Sequence, residues 1–187
     1  MKRIMLLAML FMVVGTSVRA QWGEETMDEK PSFKDRVFTG GGFGLSFSNY
    51  SDFFSVSPII GYKLTDKLAT GLMFQYRYTK YKTISPPVTA NDFGVSPFLR
   101  YNFYGPLFLH AEYEYLNYQI VYSNGEKSRL GFNSFMAGGG LFQPIGRNAG
   151  LYIVALYNFS YKSPSASNYY YPYNSPMVLR VGITAGF

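Results

Sequence analysis

Three side chains that could carry acid–base chemistry stand at alternate positions of one short stretch: His110, Glu112 and Glu114. A histidine beside a hydroxyl and an acid can activate a nucleophile, and two carboxylates can together hydrolyse a glycosidic bond. Whether these residues can do either depends on the element that holds them. In a β-strand, alternate residues point to the same face, so the chain must first be examined for strands.

The composition excludes several classes of site. The 187 residues include no cysteine and one histidine, with 48% hydrophobic, 19% aromatic and only 15% charged residues. A chain without cysteine has no disulfide scaffold, thiolate zinc site or cysteine nucleophile, and a single histidine cannot form a multi-histidine metal centre. We therefore predict no metal site and no cofactor.

The first twenty residues have the pattern of a secretory signal. Lys2 and Arg3 precede the apolar run 4–14, and a small-residue ending reaches Ala20. The run is too short for a membrane anchor, which needs about 20 apolar residues, so we predict cleavage after Ala20. Removing Lys2, Arg3 and Arg19 lowers the formal net charge from +6 to +3. This modest charge on an exported chain predicts no nucleic-acid partner.

Residues 21–35 are polar and charged and are predicted to form a short periplasmic tail, and residues 36–187 to form one barrel domain. From Arg36 onward, apolar residues alternate with small or polar ones, which is typical of β-strands. Eight strands are predicted, at 37–48, 53–64, 68–81, 93–104, 107–120, 131–143, 150–162 and 177–187. Short turns at 65–67, 105–106 and 144–148 alternate with longer loops at 82–92, 123–129 and 163–176.

An even number of strands with alternating short turns and long loops is typical of bacterial outer-membrane barrels. A sheet in hydrocarbon must close, because an open edge would leave backbone groups unpaired. We therefore predict an all-β fold, an eight-stranded antiparallel up-and-down transmembrane β-barrel. Aromatic girdles are expected at Tyr76, Tyr78, Tyr113, Tyr115, Tyr157 and Tyr161 on the outer side, and at Tyr62, Tyr101, Phe103, Phe142 and Phe187 on the periplasmic side. The alternative is a soluble periplasmic barrel or sandwich with its apolar face inside.

Several stretches resemble a known family. The last strand, 179–187, resembles the C-terminal insertion signal of outer-membrane proteins, with Val181, Ile183, Ala185 and the terminal Phe187 as its apolar positions. Together with the stretches 40–45, 57–68 and 108–115, the chain from 36 to 187 resembles the small outer-membrane β-barrel domain proteins of the Bacteroidetes type (porin-family or PorT-like). It is similar in size to the OmpX and OmpA transmembrane barrels. The resemblance implies an outer membrane location in a Gram-negative cell, and the barrel assembly machinery as a partner during insertion.

The interior of such a barrel is the remaining place for chemistry. Eight strands enclose a space that side chains just fill. Besides Gln75 and Asn102, the alternation points six ionisable side chains into it: Arg77, Arg100, His110, Glu112, Glu114 and Arg180. We call these six residues the interior charge network and expect them to form ion pairs. His110 should lie inside and near the periplasmic end, away from outer-leaflet lipid, and a filled barrel leaves no room for a sugar at Glu112 and Glu114. We therefore predict no catalytic residue and no enzymatic activity.

The longest predicted loop contains an aromatic cluster, Tyr169, Tyr170, Tyr171 and Tyr173. It could contact a glycan or a partner protein, or instead pack over the barrel mouth or against lipopolysaccharide. We predict a structural or surface-interaction role through the external loops, with lipid and lipopolysaccharide as surroundings. Two alternatives stay open: a narrow ion or small-solute channel gated by the interior Arg–Glu network, and an accessory subunit bound to another outer-membrane protein.

Overall fold

The computed structural model describes residues 32–47, 51–82, 85–122, 126–145, 148–163, 172–173 and 175–186, and for residues 45–47 and 51 it describes the backbone alone. The predicted signal segment 1–20, the tail up to residue 31, three of the four loop tyrosines (Tyr169, Tyr170 and Tyr171) and Phe187 lie outside these residues. Within them, no helix combines the length and the apolar character needed to cross a bilayer.

Eight antiparallel strands form one closed sheet in which each strand pairs with its sequence neighbours and β1 pairs with β8. They are β1 (Val37–Phe47), β2 (Ser51–Lys63), β3 (Leu68–Tyr81), β4 (Val88–Tyr104), β5 (Leu107–Val121), β6 (Lys127–Pro144), β7 (Ala149–Asn158) and β8 (Met177–Ala185), preceded by one helical turn, α1 (Phe33–Arg36). The predicted eight-stranded antiparallel up-and-down barrel is confirmed.

Some element boundaries differ from the predicted ones. Strand β4 begins at Val88 rather than residue 93, because residues 88–92 continue the ladder with residues 77–81 of β3. Strand β6 likewise begins at Lys127, where it still pairs with Val121. The end of the predicted tail is a helical turn, whose first backbone N–H, at Ser32, donates to Asp35 at 3.0 Å. Polar residues at these strand ends resemble loop residues in sequence, yet they complete the ladders.

The barrel has two different ends. Both the chain entry at Val37 and the connections at 64–67, 105–106 and 145–148 lie at one end, which we call the turn end. The connections between β1 and β2, β3 and β4, β5 and β6, and β7 and β8 lie at the other, the loop end. The longest of these connections covers residues 159–176.

The seam that closes the barrel is built from small residues. Strand β1 pairs with β8 from Thr39↔Ala185 to Gly42↔Gly182. A Cβ atom on Gly182 would lie 2.6 Å from the backbone oxygen of Gly41. Because backbone cannot move aside as a side chain can, this close approach requires glycine.

Side chains alternate between the two faces of the sheet, as β7 shows: Leu151, Ile153 and Tyr157 are exposed, whereas Tyr152, Val154 and Leu156 are buried. The interior holds an apolar cluster as well as charges: Phe38, Ile59, Ala69, Met73, Phe98, Phe108, Met136, Tyr152, Val154 and Leu156. Phe142 packs against this cluster, so its predicted place in the periplasmic girdle is wrong. It shares the inward face with Gly140 and Gly138, two and four residues before it. In β8, Val181 and Ile183 lie on the exposed face.

Candidate functional site

The centre of the barrel interior is organised around Glu112. Strand β5 turns His110, Glu112 and Glu114 inward on alternate residues, and all three are buried. The Oε1 atom of Glu112 accepts a hydrogen bond from Nη2 of Arg180, and its Oε2 atom lies 3.2 Å from Nε2 of His110. A buried carboxylate needs such partners, since an unpaired one would lose its hydration without compensation.

Glu114, one step closer to the loop end, has three further partners. Its Oε1 atom accepts a hydrogen bond from Nε2 of Gln75 at 2.7 Å and lies 3.6 Å from Nη2 of Arg180. Its Oε2 atom accepts a hydrogen bond from the hydroxyl of Tyr173. Arg180 therefore joins the two carboxylates of β5 into one group, and the connection between β7 and β8 reaches down to it through Tyr173.

Tyr173 belongs to the aromatic cluster predicted for the longest loop, but its hydroxyl points into the barrel. The pKa of the Tyr173 hydroxyl is raised well above its usual range, mainly because the group is buried and also because Glu114 beside it is negatively charged. The hydroxyl consequently keeps its proton and acts as the donor. Of the alternatives given for the loop tyrosines, packing over the barrel mouth is the one that describes Tyr173.

A second ion pair lies nearer the loop end. Nε of Arg77 is 2.9 Å from Oδ2 of Asp92, and Oδ1 of Asp92 accepts the backbone N–H of Gln119 at 2.8 Å. The Arg77 guanidinium also lies over the Tyr118 ring, 5.7 Å from its centroid. Sequence reasoning missed Asp92 because Asn91 and Asp92 resemble loop residues. The inward series Arg100, Phe98, Ser96 and Gly94 on β4, continued two residues back, would have identified it.

Arg100, near the turn end, is held by aromatic rings instead of a carboxylate. Its guanidinium carbon lies 4.5 Å from the ring centroid of Phe108, 5.1 Å from that of Tyr152 and 5.8 Å from that of Phe98. No carboxylate of the described residues forms an ion pair with it. Because rings within about 6 Å attract a cation through their quadrupoles, this cage offsets part of the cost of burying Arg100.

The six predicted network residues are thus all turned into the barrel but do not form one continuous chain. His110, Glu112, Arg180 and Glu114 are joined directly. Arg77 pairs with Asp92 instead, and Arg100 with aromatic rings. In the part of the chain described, Glu112 is the one side chain that shares a hydrogen bond with His110, and no group of three acidic or histidine side chains is placed to hold a metal ion. The arrangement can fix strands to one another and can attract a charged solute.

Comparison with known proteins finds a similar architecture among the solved structures. No protein-family model matches the chain, and no curated protein matches it, so membership of the Bacteroidetes-type family stays a prediction. Among solved structures, the crystal structure of the N-terminal β-barrel domain of Pseudomonas aeruginosa OprF is similar at 16% sequence identity and a TM-score of 0.46. The match covers 80% of this chain and 96% of that one. The fold assignment rests on the strand pairing of this chain itself.

The first prediction concerns Arg180, which neutralises two carboxylates. Replacing it in Arg180→Met leaves Glu112 and Glu114 buried with less compensation, which typically costs about 3–5 kcal/mol. Urea unfolding of the refolded barrel in detergent, followed by circular dichroism, measures this loss. The control is Arg129→Met, which removes a guanidinium from an exposed position on β6 and should cost about 1 kcal/mol or less. Equal losses for the two variants would contradict the role given to Arg180.

Proposed function

We propose that this protein is an integral outer-membrane β-barrel without enzymatic activity, whose role is structural or is exerted through its loops at the cell surface. The observation that carries the proposal is the outward face of the barrel. Every strand contributes large exposed apolar side chains to it, such as Phe43, Ile60, Phe74, Leu99, Leu109, Phe135, Ile153 and Val181. Soluble monomers rarely expose contiguous apolar patches larger than a few hundred Å².

The distribution of charge supports the same environment. A soluble barrel places apolar residues inside and polar ones in water. Here the buried polar and charged side chains include Asp92, Arg100, His110, Glu112 and Glu114, while the exposed face is apolar. This favours lipid over water around the barrel and argues against the soluble alternative. The strand lengths are also sufficient, since even β8 has nine residues and a tilted spanning strand needs about 9–11.

The orientation follows from the two ends. Outer-membrane barrels have short periplasmic turns and longer extracellular loops, so the turn end would face the periplasm and the loop end the outside. The connection 159–176 would then be the part of the chain that contacts lipopolysaccharide headgroups, a glycan or another outer-membrane protein. Assembly machinery would recognise Val181, Ile183, Ala185 and Phe187 during insertion. His110 would face the periplasmic half, away from outer-leaflet substrates, which supports a non-enzymatic role.

The interior packing favours a closed barrel over the channel alternative. The apolar cluster with Phe98, Phe108 and Tyr152 fills the lumen towards the turn end and surrounds Arg100. An ion crossing this half would have to displace close-packed side chains and leave its water behind. Within the described residues, the interior therefore acts as a plug that joins the walls of the barrel.

The membrane environment predicts a depth-dependent effect of charge on the outward face. Ile153→Arg places a cation midway along β7, which costs about 2–4 kcal/mol at the bilayer midplane, whereas Met177→Arg, at the start of β8, costs about 0–1 kcal/mol near the interface. Both positions are exposed and apolar in the parent chain. Denaturant unfolding in lipid vesicles measures the two losses. Equal losses, together with a parent protein that stays in solution without detergent, would contradict the proposal.

A closed lumen predicts electrical silence. Planar-bilayer recording of the purified protein should show no discrete conductance steps, because the turn half is filled. The same recording on Glu112→Ala and Arg100→Ala tests whether the interior charge network gates a conducting channel. Discrete steps in the parent protein that either substitution alters would favour the gated channel over a structural role.

A further inference from the structure

The loop half of the lumen contains a cavity of about 250 Å³, several times the roughly 30 Å³ that one water occupies in the liquid. Its polar lining includes Ser55, Ser57, Gln75, Arg77, Tyr173 and Arg180. This cavity lies above the apolar plug described for the turn half.

The cavity exists because one part of the inner wall has almost no side chains. On β1 the inward positions are occupied by Gly42 and Gly44, whose partners on β2 are Ser57 and Ser55. On the other side, Gly42 pairs with Gly182 of β8. Three adjacent strands thus contribute no inward group larger than a hydroxymethyl at this level, while the lumen opposite is filled by larger side chains.

Three carboxylates around the cavity outnumber the two guanidinium groups, but the guanidinium groups are the more accessible charges. Arg77 has a side chain that is 23% exposed, whereas its partner Asp92 is 2% exposed. The side chain of Arg180 is 15% exposed, whereas Glu112 and Glu114 are completely covered. A solute in the cavity would therefore meet the guanidinium groups first, since Asp92 also borders the cavity but is almost fully covered, and Glu112 and Glu114 do not line it. At contact distance the accessible guanidinium groups would be the nearest charges to the solute, and they favour an oxyanion over a cation.

Two buried donor atoms of these guanidinium groups are also unpaired. Nη2 of Arg77 and Nε of Arg180 have no hydrogen-bond acceptor among the described residues. Ser55 and Ser57 add hydroxyl groups to the same wall. Planar guanidinium groups and hydroxyls are the donors that proteins use to bind carboxylate and phosphate oxygens.

We propose that the cavity walled by Gly42, Gly44, Ser55, Ser57, Arg77 and Arg180 is a binding site for a small oxyanion, of the phosphate or short carboxylate class. The site binds the anion without transporting it, because the turn half below is filled. Its occupancy links β3 to β8 through the two guanidinium groups and β2 to both through the serine hydroxyls. The proposal does not depend on the cellular location of the barrel, since binding can be measured on the folded protein in detergent.

The test uses monofluorophosphate as the probe and the whole mature barrel in a maltoside detergent, so that no lipid phosphate is present. Fluorine NMR should show saturable line broadening that inorganic phosphate reverses. Fluoroethylammonium, a small monofluorinated cation at neutral pH, should show none. Absence of saturable broadening by monofluorophosphate, or equal broadening of the cation, would overturn the proposal.

Two variants locate the binding. Ser57→Leu fills the cavity without removing a charge, and Arg77→Gln removes an accessible guanidinium; each should weaken probe binding by about tenfold or more, which corresponds to about 1.4 kcal/mol. Ala155→Leu and Arg129→Gln make matched changes at exposed positions outside the lumen and should leave binding unchanged. Folding of each variant is checked by circular dichroism, and Ser57→Leu keeps the test decisive should Arg77→Gln fail to fold. Equal loss in the outer controls, or unchanged binding in Ser57→Leu, would place the anion elsewhere and reject the site.

Discussion

Closure of the sheet is the constraint on which the rest of this structure depends. A strand surrounded by hydrocarbon has no water to satisfy its backbone groups, so each strand must have a partner on both sides. The ladder between β1 and β8 supplies the last pair, and it does so through glycines that let the two backbones approach. Once the sheet is closed, each side chain points either outward or inward, and its position along the strand determines which, because successive residues face opposite sides. The small circumference of eight strands then leaves an interior that side chains must fill.

That filling divides the lumen into two parts with different physics. Towards the turn end, rings and aliphatic side chains pack closely and hold Arg100 by cation–π contacts. Towards the loop end, glycine and serine on β1 and β2 leave space, and the charged groups sit where water or a small anion can reach them. The carboxylates of Glu112 and Glu114 are covered, so the guanidinium groups of Arg77 and Arg180 are the most accessible charges of this half, although the carboxylates outnumber them. The same alternation therefore produces a plug where the inward side chains are large and a cavity where they are small.

Much of this could be predicted from the sequence because it depends on local period. The series Phe108, His110, Glu112, Glu114 assigns its own face, and the even strand count with short and long connections predicts closure. Features that depend on distant partners were not accessible in this way. The sequence predicts a loop at Asp92, because the length of β4 depends on its pairing with β3, which the local pattern does not show. Tyr173 points into the barrel from a long connection that has no repeating sequence pattern. The aromatic rings around Arg100 come from three different strands, β4, β5 and β7. Phe142 lies near a strand end, which predicts a girdle position, but it stands two residues after the inward Gly140 and therefore faces the interior.

The central claim is that the apolar face of the barrel contacts acyl chains. The chain has no cysteine, so single cysteines can be introduced along β5 from residue 108 to 115 and labelled with a nitroxide in lipid vesicles. The account predicts that labels at the odd positions show high collision rates with oxygen and low ones with a water-soluble nickel chelate, with a period of two and low values for both reagents at the even positions. Odd positions that instead collide freely with the nickel chelate would mean that water surrounds the barrel, and the account would be wrong.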